Sequence, residues 1–173
     1  MTTALGHPAV QRVLDVAARK GVTLEVMTFP DSTHTASDAA RVVGAEIGQI
    51  VKSLVFVSAG EDDVLEPIVC LVSGADRVDL TRLAAVIGRQ DVRRATAREA
   101  DELTGYTIGG IPPFGHHQKT RVIMDPDLGR YETVWAAAGL PTAVFPVSPA
   151  TLRMLADAHV APIAEVPPVE RAS

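Results

Sequence analysis

The chain has 173 residues, 47% of them hydrophobic and 21% charged, and carries a net charge of −5. That is the size of one domain, able to bury a core without disulfides or a structural metal. The acidic balance excludes a protein that holds nucleic acid by its overall field, because phosphate binding draws on clustered Lys and Arg, so any such contact is local or borrowed from a partner. Stretches such as Leu54 to Gly60 and Thr133 to Ala150 fall well short of the ~20 apolar residues a membrane span needs. Met1 to Ala9 lacks the basic and apolar regions of an export signal, so a cytoplasmic location without membrane contact is expected.

Val10, Val13, Leu14 and Ala17 form one apolar stripe, which predicts a helix from about Pro8 to Lys20 that Gly21 ends. Thr23 to Phe29 reads as a strand stopped by Pro30. Thr35 and Asp38 stand at N-cap spacing before a helix that Gly44 closes, and a helical turn follows over Ala45 to Val51. Lys52 to Ser58 and Leu65 to Val72 read as a hairpin around the acidic turn Gly60 to Asp63. A helix over Asp79 to Ile87 comes next, then a capping-box pair, Thr96 and Glu99, opening a helix that ends at Gly105. Arg121 to Met124 and Tyr131 to Trp135 read as two strands joined by the Asp125-Pro126-Asp127 turn. Ala143 to Val147 is a strand, Ser148-Pro149 a cap, and Leu152 to Ala158 the last helix. Residues 1–166 are expected to form a single domain, and the tail Pro167 to Ser173 to fray. The hairpin signals and the lack of a regular βαβ period favour an α+β fold, a mixed sheet with helices packed outside.

Three stretches carry a family resemblance: HTASDAARVVGAEIGQIVKSLVF (His34 to Phe56), TGYTIGGIPPFGHH (Thr104 to His117) and VWAAAG (Val134 to Gly139). Together they resemble the YbaK/ProX/EbsC family of prolyl-tRNA editing domains, over about residues 8 to 165. The resemblance implies a curved, barrel-like sheet surrounded by helices, and a deacylase that hydrolyses the ester of mischarged tRNA without a cofactor. It also implies tRNA delivery by prolyl-tRNA synthetase or an elongation factor.

Read by itself, Lys52 is either a solvated strand-end lysine or an ammonium held in a cleft, where it can bind phosphate or polarise an ester carbonyl. The resemblance implies that Lys52 is required for deacylation. The loop Gly109, Gly110, Ile111, Pro112 and Pro113 combines permissive glycines with rigid prolines; it is either a surface turn or a fixed curve presenting main-chain N–H groups. It matches the family's GxxxP element, with Gly109 and Pro113 in place, which implies that it holds the ester or the terminal adenosine. His116 is a solvated loop histidine or a proton shuttle, His117 receives no role, and His34 matches a family element as a wall of the pocket.

Metal is not expected, because His34, His116, His117 and Asp125 show no ligand spacing. No Gly-x-Ser-x-Gly elbow is present, and Cys70, the single cysteine, sits in an apolar run as a core residue, so a protein nucleophile of the usual hydrolase kind is not expected; the resemblance implies that water or a group on the substrate attacks. The cysteinyl branch of the family tends to have a serine near Ala137 and a GGKRG run where this chain has Ala138 to Thr142, Gly139 included. The resemblance assigns Ala137 and Gly139 to the substrate pocket. A smaller, more apolar wall suits alanine, serine or another small acyl group, and size by itself discriminates by only about 1–3 kcal/mol per methylene.

Arg82, Arg89, Arg93, Arg94 and Arg98 form the one notable basic cluster; it reads as a solvated face, with contact to the tRNA acceptor stem as the alternative. Two other functions stand beside the deacylase. One is an inactive editing-like module that binds aminoacyl-adenosine or a synthetase. The other, a DNA-binding regulator, is disfavoured by the acidic charge and the absence of a helix-turn-helix pattern, so no DNA partner is expected.

Overall fold

The long hairpin predicted from two strand runs around an acidic turn is the backbone of the fold. In the computed structural model, which describes residues 4–30, 35–60 and 62–166, it comprises β2 (Val51–Ala59) and β3 (Leu65–Ser73). The two strands pair antiparallel from Val51↔Ser73 to Ala59↔Leu65. Because side chains alternate along a strand, this register sends Val51, Val55 and Val57 into one hydrophobic cluster and Phe56 into a second, on the other face of the sheet.

Helices take their bounds from their caps. The first, α1 (Pro8–Arg19), begins at His7, whose ring accepts the Ala9 amide at 3.1 Å, and it buries Val10, Val13 and Ala17 completely. A Thr35 hydroxyl accepting the Asp38 amide at 3.0 Å starts α2 (Ala36–Val43), after which the expected helical turn shrinks to a 3-10 turn at Ile47–Gln49. Asp79 caps α3 (Leu80–Ile87), which packs Leu83 and Ile87 into the second cluster. The Thr96–Glu99 capping box forms as read and opens α4 (Ala97–Thr104). Ser148 caps α5 (Pro149–Ala156), which starts and stops earlier than its apolar pattern suggests because Asp157 turns left-handed at φ 49°.

Two sheets result. The larger has the order β4-β2-β3-β5-β8, with β4 at Arg93–Arg94, β5 at Arg121–Met124 and β8 at His159–Val160. The smaller is antiparallel, β1-β7-β6, from Met27–Thr28, Ala143–Val147 and Val134–Ala137. One parallel bridge, Ile50↔Trp135, ties β2 to the smaller sheet. The mixed α+β architecture stands, but the expected curved, barrel-like sheet does not: each sheet keeps two edge strands among the described residues, and no closed barrel forms.

Two further strand expectations change for one reason, the supply of partners. Thr23 to Phe29 is paired as strand only at Met27–Thr28, because β7 offers Val144 and Ala143 there and nothing opposite the earlier residues. Arg121 to Met124 does not form a hairpin with the segment around Trp135, because β5 is already paired on both sides, in parallel, by β3 and β8. Asp125 instead opens a 3-10 turn (Pro126–Arg130) that carries the chain to the other sheet. Its buried carboxylate accepts the amides of Asp127 at 2.9 Å, Ile163 at 2.9 Å and Ala164 at 2.8 Å, pinning that crossing. Cys70 is wholly buried in the second cluster, where desolvation pushes its thiol up to about 12, as befits a core residue. The expected frayed tail lies outside the described residues.

The α4 cap carries a pH signature. A bidentate pair with Arg93, both N···O distances 2.8 Å, and the Thr96 amide lower the Glu99 carboxyl to about 2. A depressed carboxyl contributes stability that is present above its unfolded value and lost as pH falls through the folded one. Glu99→Gln is therefore expected to lower the melting temperature at pH 7, and the gap to wild type should close between pH 4.5 and about 2; a pH-independent gap would show that the carboxylate charge is not what matters.

Candidate active site

The residues that open β2 meet the Gly/Pro loop across a cavity of about 320 Å³. One wall is β2 itself, from Val51 to Val55, with Ile50 before it. A second wall is the α2 face bearing Thr35, Ala36, Ala39 and Val43, and a third is Trp135 and Ala137, which alternation places on one face of β6. Ile108, Gly109 and Ile111 close the cavity from the loop, together with Pro141 and Val144. Arg94 and Ala95, alongside the β2 edge at Phe56 and Val55, complete it with Ala100. The lining is largely aliphatic with a few polar groups, the composition of a small-ligand site.

Lys52 is half-buried in this wall, and its ammonium donates to the main-chain carbonyl of Asp76. Burial is the main influence lowering the Lys52 pKa; Asp76 opposes it, while the charges of Arg77 and Arg94 add to it. An ammonium has three N–H donors, so the carbonyl leaves two for a ligand. The Asp76 carboxyl is itself pushed up, first by burial and then by a hydrogen bond and charge repulsion from Asp127. The carboxylates of Asp76, Asp125 and Asp127 gather within 4.8 Å of one another, outside the cavity lining. Asp125, whose oxygens already serve three amides, anchors that group to the chain crossing, so the cluster reads as structural.

The loop is held from beneath. His116 sits under it, with Nε2 donating to the Pro112 carbonyl at 2.8 Å and its ring edge-on to Tyr106 at 6.4 Å. Burial is the main cause lowering the His116 pKa, and the hydrogen bond to Pro112 opposes it. The Tyr106 hydroxyl donates to the Gly115 carbonyl at 2.8 Å, and Arg12 lies over the Tyr106 ring at 5.4 Å. Pro112 and Pro113 are buried as the foundation of the loop and do not reach the cavity. The Gly110 amide is spent on the Thr107 carbonyl at 3.0 Å, so the loop main chain able to face a ligand is that of Gly109 and Ile111.

The expected site residues thus divide. Lys52, Gly109, Ile111 and Ala137 line one cavity, whereas Gly110, Pro112, Pro113, His116 and Gly139 stand behind it. Gly139, at φ 101°, packs against α1: a Cβ there would lie 2.7 Å from the Ala9 carbonyl oxygen. His34 lies outside the described residues, although its neighbour Thr35 lines the cavity. The residues missed by sequence reasoning are Thr35, Ser53, Arg94, Trp135 and Val144. Alternation along β2 and β6 is the signal that could have found Ser53 and Trp135, but nothing local marks Arg94 apart from its arginine neighbours.

The model of the aminoacyl-tRNA editing domain family matches residues 30–155. Among curated proteins, the chain is similar to the Multifunctional Ser/Thr-tRNA deacylase ProXp-y of Escherichia coli (strain K12), 30% identical over 138 residues, covering 79% of this chain and 81% of that protein. It is also similar to the proline–tRNA ligase of Limosilactobacillus fermentum, 30% identical over 95 residues, 55% of this chain and 17% of the ligase. A crystal structure described as "a putative trans-editing enzyme for prolyl tRNA synthetase" superposes with a TM-score of 0.83 at 44% identity, covering 92% of this chain and 99% of that one.

The loop must approach Leu140 closely to shut the cavity. A Cβ on Gly110 would lie 2.7 Å from the Leu140 Cα, a main-chain atom that cannot swing aside. Gly110→Ala is expected to cost about 1–3 kcal/mol of stability in denaturant titration; an unchanged midpoint would mean that the two segments are not in contact.

Proposed function

The chain belongs to the aminoacyl-tRNA editing domain family, and within it we propose a trans-acting deacylase that removes a small amino acid from mischarged tRNA, tRNA for proline being the first candidate. The observation that carries this reading is the meeting of the Lys52 ammonium and the Gly109–Ile111 main chain around one small, mostly aliphatic cavity.

The reaction is ester hydrolysis. Water adds its oxygen to the acyl carbonyl carbon, the bond from that carbon to the ribose oxygen breaks, and a proton passes to the ribose oxygen, giving a free amino acid and a tRNA 3′ end. Lys52 stays anchored on the Asp76 carbonyl and turns its remaining N–H donors to the carbonyl oxygen, where negative charge develops. Gly109 and Ile111 orient the acyl group, and Ala39, Val43, Trp135 and Ala137 limit its size. An aminoacyl ester is already reactive, so orientation and one fixed cation suffice without a protein nucleophile. His116 acts as a strut for the loop through Pro112. The work is cytoplasmic, and delivery of tRNA by prolyl-tRNA synthetase or an elongation factor would spare an acidic protein a broad tRNA-binding face of its own.

Purified protein is expected to release at least one small amino acid from a panel of mischarged tRNAs. Lys52→Ala should reduce kcat/KM by about 100-fold or more with the melting temperature little changed, whereas His116→Ala should lower the melting temperature and reduce activity only partly. Folded protein that leaves the whole panel intact would defeat the proposal. The pH profile supplies a second check. Since Lys52 acts in its charged form and burial lowers its pKa, the rate above the uncatalysed background should fall as pH rises, below lysine's ordinary 10.5.

A further inference from the structure

The basic cluster does not behave as one surface. Arg82 pairs with Asp79 at 3.9 Å, Arg89 with Glu66 at 3.9 Å, Arg93 with Glu99 at 2.8 Å and Arg98 with Glu102 at 2.9 Å. Among the described residues no carboxylate lies within ion-pair distance of Arg94. Its guanidinium lies over the Phe56 ring, 5.6 Å from the centroid, and its main-chain carbonyl accepts from Arg93 Nη1 at 3.2 Å. Arg94 also lines the cavity, where among the described residues Lys52 is the other charged one and no acidic side chain contributes. The two cations feel each other, since the Arg94 charge depresses the Lys52 pKa.

Two like charges beside an aliphatic cavity whose described lining holds no carboxylate are a cost to the empty protein and a match for an anion. The deacylase reading leaves Arg94 unused. An aminoacyl ester has no free carboxylate, so the anion nearest the reacting bond is the phosphodiester on the 5′ side of the terminal adenosine.

Building on that reading, we propose that Arg94, shelved on Phe56 at the cavity wall, binds the phosphate that links the terminal adenosine to the rest of the tRNA while Lys52 works on the acyl group. Arginine suits the task because its planar fork can offer two N–H groups to phosphate oxygens while its face rests on an aromatic ring. The contact sets the register of the 3′ end, and it recognises a feature common to every tRNA, which fits a protein whose other clustered arginines are engaged with its own carboxylates.

The test compares a small-aminoacyl adenosine ester with the same ester carrying a 5′-phosphate, for wild type, Arg94→Gln and Arg94→Lys. Wild type is expected to favour the phosphorylated ester by about tenfold in kcat/KM, the scale of one charge-assisted hydrogen bond, mainly through KM. Arg94→Gln should lose that preference, its loss on the phosphorylated ester exceeding its loss on the phosphate-free ester by about tenfold, and Arg94→Lys should restore part of it. Equal losses on both esters would overturn the proposal by placing Arg94 at the acyl group, and an unchanged preference would overturn it by placing the phosphate elsewhere. Hydrolysis of neither ester by wild type would tell against the deacylase reading. The phosphate contact is then judged by binding of the 3′-amide analogues with and without 5′-phosphate: a preference abolished by Arg94→Gln sustains it, and the absence of any preference overturns it. Melting curves of the variants separate loss of the contact from loss of the fold.

Discussion

The register of the β2–β3 hairpin is the constraint on which the rest of the molecule hangs. Nine opposed pairs lock it, and each strand is covered on both faces, one by the cluster that includes α1, β6 and β7, the other by the cluster against α3. A slip of one residue would exchange the two faces, turning Lys52 to the side of Val51 and Val55 and Ser53 to the side of Phe56. Held in register, the start of β2 presents Lys52 where the turn after β3 offers the Asp76 carbonyl, and the part of its edge not paired with β4 borders the cavity. The cavity position of Lys52 is therefore a by-product of hairpin geometry, set by nine residues of sheet and not by a flexible loop.

Electrostatics complete the site. An acidic protein keeps cations at its cavity, and most of its other clustered arginines are tied to carboxylates on its own surface. Within the basic cluster, Arg94 is the member that lines the cavity, beside Lys52. The cost appears as the lowered Lys52 pKa, arising from burial and from the nearby arginines and relieved in part by Asp76. The loop opposite Lys52 carries no charge of its own; it contributes shape, fixed by buried prolines and by the His116 and Tyr106 hydrogen bonds from below.

Local signals and long-range outcomes separate cleanly. Caps at Thr35, Thr96 and Ser148 were legible because an N-cap satisfies amides within three residues of itself, and all three side chains do so. The hairpin was legible because two apolar runs flank a short acidic turn. The supposed hairpin after β5 was not, because the rule that neighbouring strands pair fails once both edges of β5 are taken by strands distant in sequence. The barrel expectation failed likewise: closure depends on whether edge strands meet, and β4 and β8 each end after two residues without doing so.

The sequence by itself determined the α+β class, the helix starts, the core role of Cys70 and the candidacy of Lys52 and the Gly109–Pro113 loop, since each follows from local pattern or from a motif read in one dimension. Only the tertiary structure decided that Gly109 and Ile111 face Lys52 while Gly110, Pro112 and Pro113 serve as foundation, that His116 supports the loop from outside the cavity, and that Arg94 alone of its cluster turns to the site. The reason is physical: what a side chain does is settled by the atoms packed against it, and those come from segments whose meeting no local spacing encodes.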